Sequence, residues 1–590
     1  MVPDFMNTSG SAFTLTRTID ETNFDVAIIG GGITGICVAR EAASRGLKTI
    51  LFERDDFGSG TSSATTKYIH GGIRYLEQYD IAVVRESLRE RRVLALGAPH
   101  LVRQTRFIMP AWRWSKPPTA LIGAGVLLYD TLAFDRNLKA PDSLRIPHPR
   151  WLSRAKLLAA VPWLDQTGLQ GAFAYHDTLN IHPERLLLAY AKSAAGAGAV
   201  LMNHVRVDDF ISTNSDRMVI QGVEVTDLLS GESQRVLAKV VINAAGPWID
   251  KVLGKLARGT GVGVDRSKGV HILTRPLGGP GRVTDAVFAR AQSGRHVIVS
   301  PWMGKSFIGP TDTPIAGDES SVVVDPSDVE IILDTVNSTM RSEEKKLSAA
   351  DVEMTTVGVR PLLRASHAND SGSKNDGPDE TETYSASRAH ELYHHVDHGV
   401  DNLWSIGGGK WTTGRATAEE MVDALLTNEL KGAHSRFFDS RATAAAGTFA
   451  WAEDAEPFIV DAACSMKMLG MPYDIGEHIA RLYGTEWTRI ANIVEQSPLS
   501  SARLVADCLD IEAQIIFAVA DEGARTLSDI VDRRLVIGTL GPVSDDTLRR
   551  VAIIAGPLLG WDEAMIEDQV RHESNRRAVI SMHWRTSVEG

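Results

Sequence analysis

A glycine cluster set between a strand pattern and a helix pattern constrains the fold of this chain more than any other feature. Residues 25–29 read DVAII, rich in β-branched side chains, and Gly30, Gly32 and Gly35 then form G-x-G-x-x-G within GGGITG. The following ITGICVAREAASRG has helical character and is closed by Gly46, and a second strand, LKTILFE, ends at Glu53. Strand, turn, helix and strand within about thirty residues make the unit of a parallel sheet. The triplet alone is a weak signal, but in this setting each glycine has a task. The first permits the tight turn, the second lets a pyrophosphate approach the backbone, and the third lets helix and strand pack. The helix N-terminus offers unpaired amides and partial positive charge to the phosphates. Glu53 stands where an acid accepts hydrogen bonds from the adenosine ribose, which disfavours a 2′-phosphate. This spacing suits NAD and FAD equally.

The remaining chain is long. Its 590 residues imply two or more domains. With 43% apolar and 23% charged residues it is neither disordered nor a collagen-like fibre. Sixty-two basic against 74 acidic side chains give a net charge of -12, which argues against nucleic acid as a partner. Cys37, Cys464 and Cys508 are too few for a disulfide framework or a cysteine-rich metal site, so no metal and a reducing, cytoplasmic interior are expected. The first twenty residues lack a basic start, an apolar core and a cleavage site, and no signal peptide is expected. Residues 117–129, PPTALIGAGVLLY, are too short for the roughly 20 residues of a spanning helix. That run is read as a buried helix or, more sharply, as an interfacial one, with Trp112, Arg113, Trp114 and Lys116 just before it.

IAVVRESLRERR reads as a helix with Ile81, Val84 and Leu88 on one face and its arginines on the solvated side. Further strand patterns occur at 222–225, 238–243, 296–300 and 403–406. Residues 368–383, ANDSGSKNDGPDETET, have no large apolar side chain and are expected to be a surface loop or disordered insertion. Beyond about Leu430 the pattern turns helical, with Trp487, Ile490, Ile493 and Val494, then Ile511, Ile515, Ile516 and Val519, at helical spacing. Thr526 and Asp529 resemble a capping box, with Asp in place of the usual Glu. The division expected is a polar leader at 1–24, an oxidoreductase region at 25–430 and a helical domain at 431–590.

The segment after Glu53, FGSGTSSATTKYIHGGIRYLE, resembles the FAD-dependent glycerol-3-phosphate dehydrogenases of the aerobic, quinone-linked type. APHLV, NAAGPW, PW, GPTDT, GVRPL and GGGKWTTGR continue the resemblance in order to about Glu420, and EAQIIFAVADEGARTLSDIVDRR is similar to the family's C-terminal domain. The implied fold is α/β, a Rossmann-like FAD-binding domain interleaved with a mixed-sheet substrate domain, followed by an all-helical C-terminal domain. By this resemblance Gly30, Gly32, Gly35 and Glu53 hold the adenosine and pyrophosphate of FAD, with Thr61, Ser62 and Ser63 near phosphates and ribitol. Lys67 to His70, Ile69 included, would run along the flavin. Ala245 and Gly246 would return to the cofactor, Gly408, Gly409, Lys410 and Thr412 would close over the pyrimidine end, and Val205 is a weaker match at the adenine.

The implied reaction is oxidation of glycerol 3-phosphate to dihydroxyacetone phosphate, with electrons passing from FAD to a membrane quinone. A phosphate dianion calls for cations, and Arg suits it because its planar fork grips two oxygens. Arg74, Arg360 and Lys410 occupy the matching positions, and the setting of Arg360 in GVRPL suggests a shaped turn. His70 and His271 are both candidates for the base that takes the hydroxyl proton, and Tyr75 could orient the substrate. Two departures from the family stand out: Gly414 where a Tyr is common after GGK-x-TT, and Glu184 where Asp usually precedes RL. An oxidase that passes electrons to oxygen and yields peroxide shares every motif, and a flavin-binding protein without turnover is a more distant rival. The resemblance implies peripheral attachment to the cytoplasmic face of a membrane and leaves room for a homodimer.

Overall fold

The computed structural model describes residues 23–213, 216–256, 259–279, 284–292, 294–315, 322–363, 389–433, 435–582 and 584–585. The polar leader to residue 22 and the 368–383 insertion lie outside them. Strand β1 (Asn23–Ile29), helix α1 (Ile33–Ser44) and strand β2 (Thr49–Phe52) form the expected unit, with β1 and β2 parallel and Ile29 opposite Phe52. Every residue of β2 is buried, as is β1 from Val26 onward, which is why both read as apolar runs without alternation. On its other side β1 pairs in parallel with Ser233–Asn243, which in turn pairs in parallel with Leu403–Gly408. Val200–Met202 extends the sheet beyond β2. Segments far apart in the chain thus share one sheet, as an interleaved architecture requires.

A second sheet of ten strands is mostly antiparallel. Its longest ladders join Val264–Thr274 to Val352–Leu363 and Val102–Trp112 to Leu169–Asn180. Among the described residues no strand follows Gly408, and helices such as Ala455–Met468, Trp487–Gln496 and Glu512–Glu522 build the C-terminal domain. The Thr526–Asp529 box forms reciprocally: the Thr526 amide donates to Asp529 Oδ2 at 3.0 Å, and the Asp529 amide donates to Thr526 Oγ1 at 3.2 Å.

Three expectations need correction. In helix α2 (Ile81–Gly97) the arginines are not all solvated: Arg91 is 2% exposed and donates to Asp177 Oδ1 at 2.5 Å. Arg360 lies not in a turn but within the strand Val352–Leu363, opposite Ser267. Helix α3 (Thr119–Leu132) takes up most of the apolar run, yet Trp112 is buried and stacks on Trp114 at 5.0 Å instead of facing solvent. Strand alternation turns Trp112 inward, so only Arg113 and Lys116 of that flank are exposed.

The helical domain is tied to the first region by buried charge. Arg185 and Lys192 lie two turns apart on the helix Pro183–Gly196, on one face. They donate to the two oxygens of Glu522 at 2.5 and 2.8 Å. Burial alone would raise the Glu522 carboxyl, but the two cations prevail and hold it at about 2. Glu522→Ala leaves both cations buried without their shared counter-ion and should cost about 3–5 kcal/mol, measured by thermal or denaturant unfolding. Because the folded value is depressed, the stabilisation is complete above the ordinary carboxyl value of 4.5 and is lost as pH falls from there towards 2. The gap in stability between parent and variant should therefore narrow across that window; a gap independent of pH would assign it to packing alone.

Candidate active site

One cavity of 1690 Å³ is lined from both sheets, well beyond the ~300–1,000 Å³ that holds most small ligands. At one end stand Glu53, Val205 and the N-terminus of α1; at the other stand His70, Arg74, His271 and Arg360. Ala245, Gly246, Gly408, Gly409 and Thr412 line the space between.

The first end is a backbone cradle. Gly35 lets α1 lie directly on the turn, since a Cβ there would sit 1.9 Å from the carbonyl oxygen of Gly30. Helix α1 starts at Gly32 without a side-chain cap of its own, and the hydroxyl of Ser62 accepts from the Ile33 amide at 2.9 Å. Glu53 Oε2 accepts from the Gly31 amide at 2.6 Å and Oε1 from the Asp55 amide at 2.9 Å. Burial pushes its carboxyl up, while these two amides pull it down. The acid therefore braces the turn as well as facing the cavity. Thr61 also lines the space, with its hydroxyl donating to the Val359 carbonyl at 2.6 Å, which ties the segment after β2 to the second sheet.

Ser63, Lys67 and Ile69 do not line the cavity, which alters the expected cofactor set. Ser63 Oγ donates to the Gly60 carbonyl at 3.1 Å and closes its own turn. Tyr68 and His70 face inward, and alternation along the short strand Tyr68–Ile69 turns their neighbours away. Lys67 is buried, with Nζ donating to Glu184 Oε1 at 2.9 Å and lying 5.3 Å from the centre of the Trp302 ring. Burial opposes ionisation of Glu184, but Lys67 and His182 hold it at about 2. The Glu at this position is thus the partner of Lys67, a role that the motif departure did not reveal.

The other end concentrates positive charge. Lys410 Nζ lies 4.5 Å and the Arg74 guanidinium 5.5 Å from the centre of the Tyr75 ring. Across the site Arg360 donates to Asp312 Oδ1 and to the Thr311 carbonyl, each at 2.9 Å. Gly269 permits this close approach, because a Cβ there would lie 2.1 Å from the Arg360 guanidinium. Both histidines are kept neutral. Burial, then Lys410 and Arg74, lowers His70 to about 3; burial, then Arg360 and Lys67, lowers His271 to about 3. His271 stacks on Phe307 at 4.7 Å, and neither ring nitrogen has a hydrogen-bond partner among the described residues. A buried, uncharged imidazole lining a cavity with both nitrogens unused is suited to accept a proton from a ligand.

Sequence reasoning missed the supports of this end. Asp312 and Thr311 orient Arg360, and GPTDT had been noted only as a motif. Tyr129 of α3 accepts from the Gly71 amide and donates to Asp177 Oδ2, each at 2.8 Å, which holds the loop beside His70. No local pattern marks such a partner, since the contact spans 58 residues.

The residues present fit a dinucleotide whose far end meets an anionic substrate. Comparison with known proteins agrees. Residues 25–424 match the family model of FAD dependent oxidoreductases, and residues 427–566 match that of the C-terminal domain of alpha-glycerophosphate oxidase. The chain is 34% identical over 579 residues to a glycerol-3-phosphate dehydrogenase of Synechocystis sp., covering 94% of this chain and 96% of that one. It is 30% identical over 524 residues to an aerobic glycerol-3-phosphate dehydrogenase of Staphylococcus haemolyticus, covering 88% of each. The glycerol-3-phosphate dehydrogenase from Bacillus halodurans, solved in complex with FAD, superposes with a TM-score of 0.74 at 25% identity, covering 95% of this chain and 96% of that one.

Glu53→Ala frees the Gly31 and Asp55 amides and removes an acid from the cavity wall. FAD affinity should fall by about 1.5–3 kcal/mol, the range for hydrogen bonds to a charged group, read by flavin fluorescence on cofactor-free protein. Unchanged affinity would remove Glu53 from the site.

Proposed function

The chain belongs to the FAD-dependent glycerol-3-phosphate dehydrogenase family, and from that premise we propose that it oxidises sn-glycerol 3-phosphate and delivers the electrons to a quinone at a membrane surface. The coarser activity, FAD-dependent dehydrogenation or oxidation of glycerol 3-phosphate, follows from the family. The observation that carries the substrate chemistry is the placing of Arg74 and Lys410 by neutral His70, and of Arg360 by neutral His271, in the cavity that Glu53 also lines.

Bound FAD supplies the acceptor for the hydrogen and electron pair that leave the alcohol carbon. The protein's share is binding, orientation and proton transfer. Arg74, Arg360 and Lys410 grip the phosphate dianion, and Tyr75, whose ring packs near two of these cations, sets the carbon chain. His271 takes the hydroxyl proton. Without substrate its proton affinity is suppressed by burial and by Arg360; a bound dianion offsets that cation and restores basicity where it is needed. Turning the alcohol into a carbonyl thus yields dihydroxyacetone phosphate.

Arg74→Ala and Arg360→Ala should each retain FAD yet lose about 2–5 kcal/mol in kcat/KM for glycerol 3-phosphate, and unphosphorylated glycerol should be a poor substrate for the parent. His271→Asn should lower kcat by about 10²–10⁴-fold with FAD retained. In substrate-free protein the nitrogen-15 signal assigned to His271 should report a neutral ring at pH 5. A charged ring at that pH, or normal turnover in the variant, would move the base elsewhere.

The quinone rests on a surface feature. Among the described residues no helix is long and apolar enough to cross a membrane. Helix α3 instead turns Leu121 and Leu127 outward, 61% and 63% exposed, with Phe134 and Leu138 exposed beyond its end and Arg113 and Lys116 before it. Apolar side chains beside cations suit shallow insertion at an anionic bilayer, and the net charge of -12 makes such a local patch necessary. Three free cysteines agree with the cytoplasmic face. The C-terminal match to alpha-glycerophosphate oxidase favours a second reading, transfer to oxygen with release of peroxide. Parent protein should sediment with anionic vesicles, and Leu127→Asp with Leu128→Asp should stay in the supernatant. Substrate oxidation should run anaerobically with a soluble quinone and yield little peroxide in air. Stoichiometric peroxide together with no vesicle binding would replace the quinone by oxygen.

A further inference from the structure

The helical domain contributes no residue that has been given a role in the cavity so far, yet it reaches the adenosine end from behind. Two short turns frame that end. One follows Glu53 and carries Arg54, Asp55 and Asp56; the other, Asn203–His204, leads directly into Val205. They are sewn together by backbone bonds: the Glu53 amide donates to Met202 O, the Val205 amide to Glu53 O and the His204 amide to Asp55 O, at 2.7–2.8 Å. Glu53, Arg54, Asp55 and Val205 line the cavity, whereas Asp56 and Asn203 point away and are fully enclosed.

What encloses them is the helical turn Asp529–Arg534. Arg534 forks onto both oxygens of Asp56 at 2.5 and 2.9 Å, and Arg533 Nε donates to Asp56 Oδ2 at 2.6 Å. Asn203 Nδ2 bridges Asp56 at 3.0 Å and the Gly523 carbonyl at 3.1 Å. His204, in the left-handed backbone region at φ 55°, pairs with Asp529 at 2.9 Å, and Asp529 is held in turn by Arg533 at 2.8 Å. Asp56, His204 and Asp529 have metal-like spacing, but two guanidiniums already balance the two carboxylates, so an added cation would meet like charge. The charged side-chain partners of Asp56 and His204 thus come from a domain that begins far along the chain.

We propose that Arg533, Arg534 and Asp529 are positioning residues for FAD: the C-terminal domain clamps the Asp56 and His204 turns and so sets the spacing of Glu53 and Val205 around the adenosine. The proposal rests on the FAD reading of the cavity. A fork onto an enclosed carboxylate has one geometry, and the first region holds these turns by backbone bonds and the Asn203 amide, with no charged hydrogen-bond partner for Asp56 among its described residues. Without the clamp, the turn after Glu53 would relax, and the carboxylate that braces Gly31 would relax with it.

The test is binding to full-length, cofactor-free protein. FAD is titrated by flavin fluorescence and ADP, which carries only the adenosine and pyrophosphate end, by calorimetry. Arg534→Gln, and His204→Asn, which tolerates a left-handed backbone, should weaken FAD and ADP by the same factor. That factor should be about 10–100-fold, the scale on which outer partners alter affinity at metal sites. At saturating FAD the KM for glycerol 3-phosphate should stay at the parent value. Folded variants with parent affinities overturn the proposal, and so does loss of FAD binding with ADP untouched, which would place the defect at the flavin. If Arg534→Gln yields no folded protein, the His204→Asn result decides. A parent that binds ADP but never FAD would instead overturn the cofactor reading itself.

Discussion

Parallel pairing of β1 with the strand Ser233–Asn243 is the contact on which the rest of the molecule depends. It sets Ile29 against Asn243, and the Ala244 amide then donates to the Ile29 carbonyl at 2.8 Å. The glycine turn and Ala245–Gly246 are thereby placed side by side at the carboxyl ends of adjacent strands, where open α/β sheets bind their ligands. A slip of one residue would exchange the two buried faces of β1 and carry the glycine turn out of line with Ala244–Gly246, removing the cradle. The second sheet is positioned against this edge by contacts such as Thr61 with Val359, so the far end of the cavity inherits its distance from the first.

The cavity is electrically divided. The end at Glu53 carries charges of both signs, Arg54 and Asp55 among them, while Arg74 and Lys410 stand by His70 and Arg360 by His271. After burial, these neighbouring cations disfavour a further positive charge, which is part of why His70 and His271 remain neutral. The arrangement is held by buried pairs: Lys67 with Glu184 behind the cavity wall, and Arg91 with Asp177, whose carboxylate lines the cavity. These pairs neutralise buried charge and fix the segments that line the space. They are weak evidence for net stability but strong determinants of geometry.

Much of this was legible in the chain itself. The strand–glycine–helix–strand unit, the acid at Glu53, the strands near 222, 238, 296 and 403 and the helical tail all arise from local periodicity and turn chemistry, which act over a few residues. The motif residues Arg74, Arg360, Lys410, His70 and His271 were read individually, and the fold brings them to one cavity. The failures have physical causes. Ser63, Lys67 and Ile69 were grouped with their neighbours, but strand alternation and local turn bonding direct them elsewhere. Trp112 looked interfacial beside Arg113, yet the pleat sends adjacent residues to opposite faces.

The sequence by itself determined a dinucleotide fold, its acid, the motif set of a flavin-linked oxidation and the order of the domains, because each follows from short-range spacing or contiguous motifs. Only the tertiary structure decided which side chain meets which across long separations. It paired Arg360 with Asp312, Lys67 with Glu184, Gly71 with Tyr129 and Asp56 with Arg533 and Arg534. Such partners are chosen by the register of paired strands and the docking of one domain on another. Neither leaves a signature within a window of sequence, since the energy of a buried charge depends on what the whole fold places within a few ångströms of it.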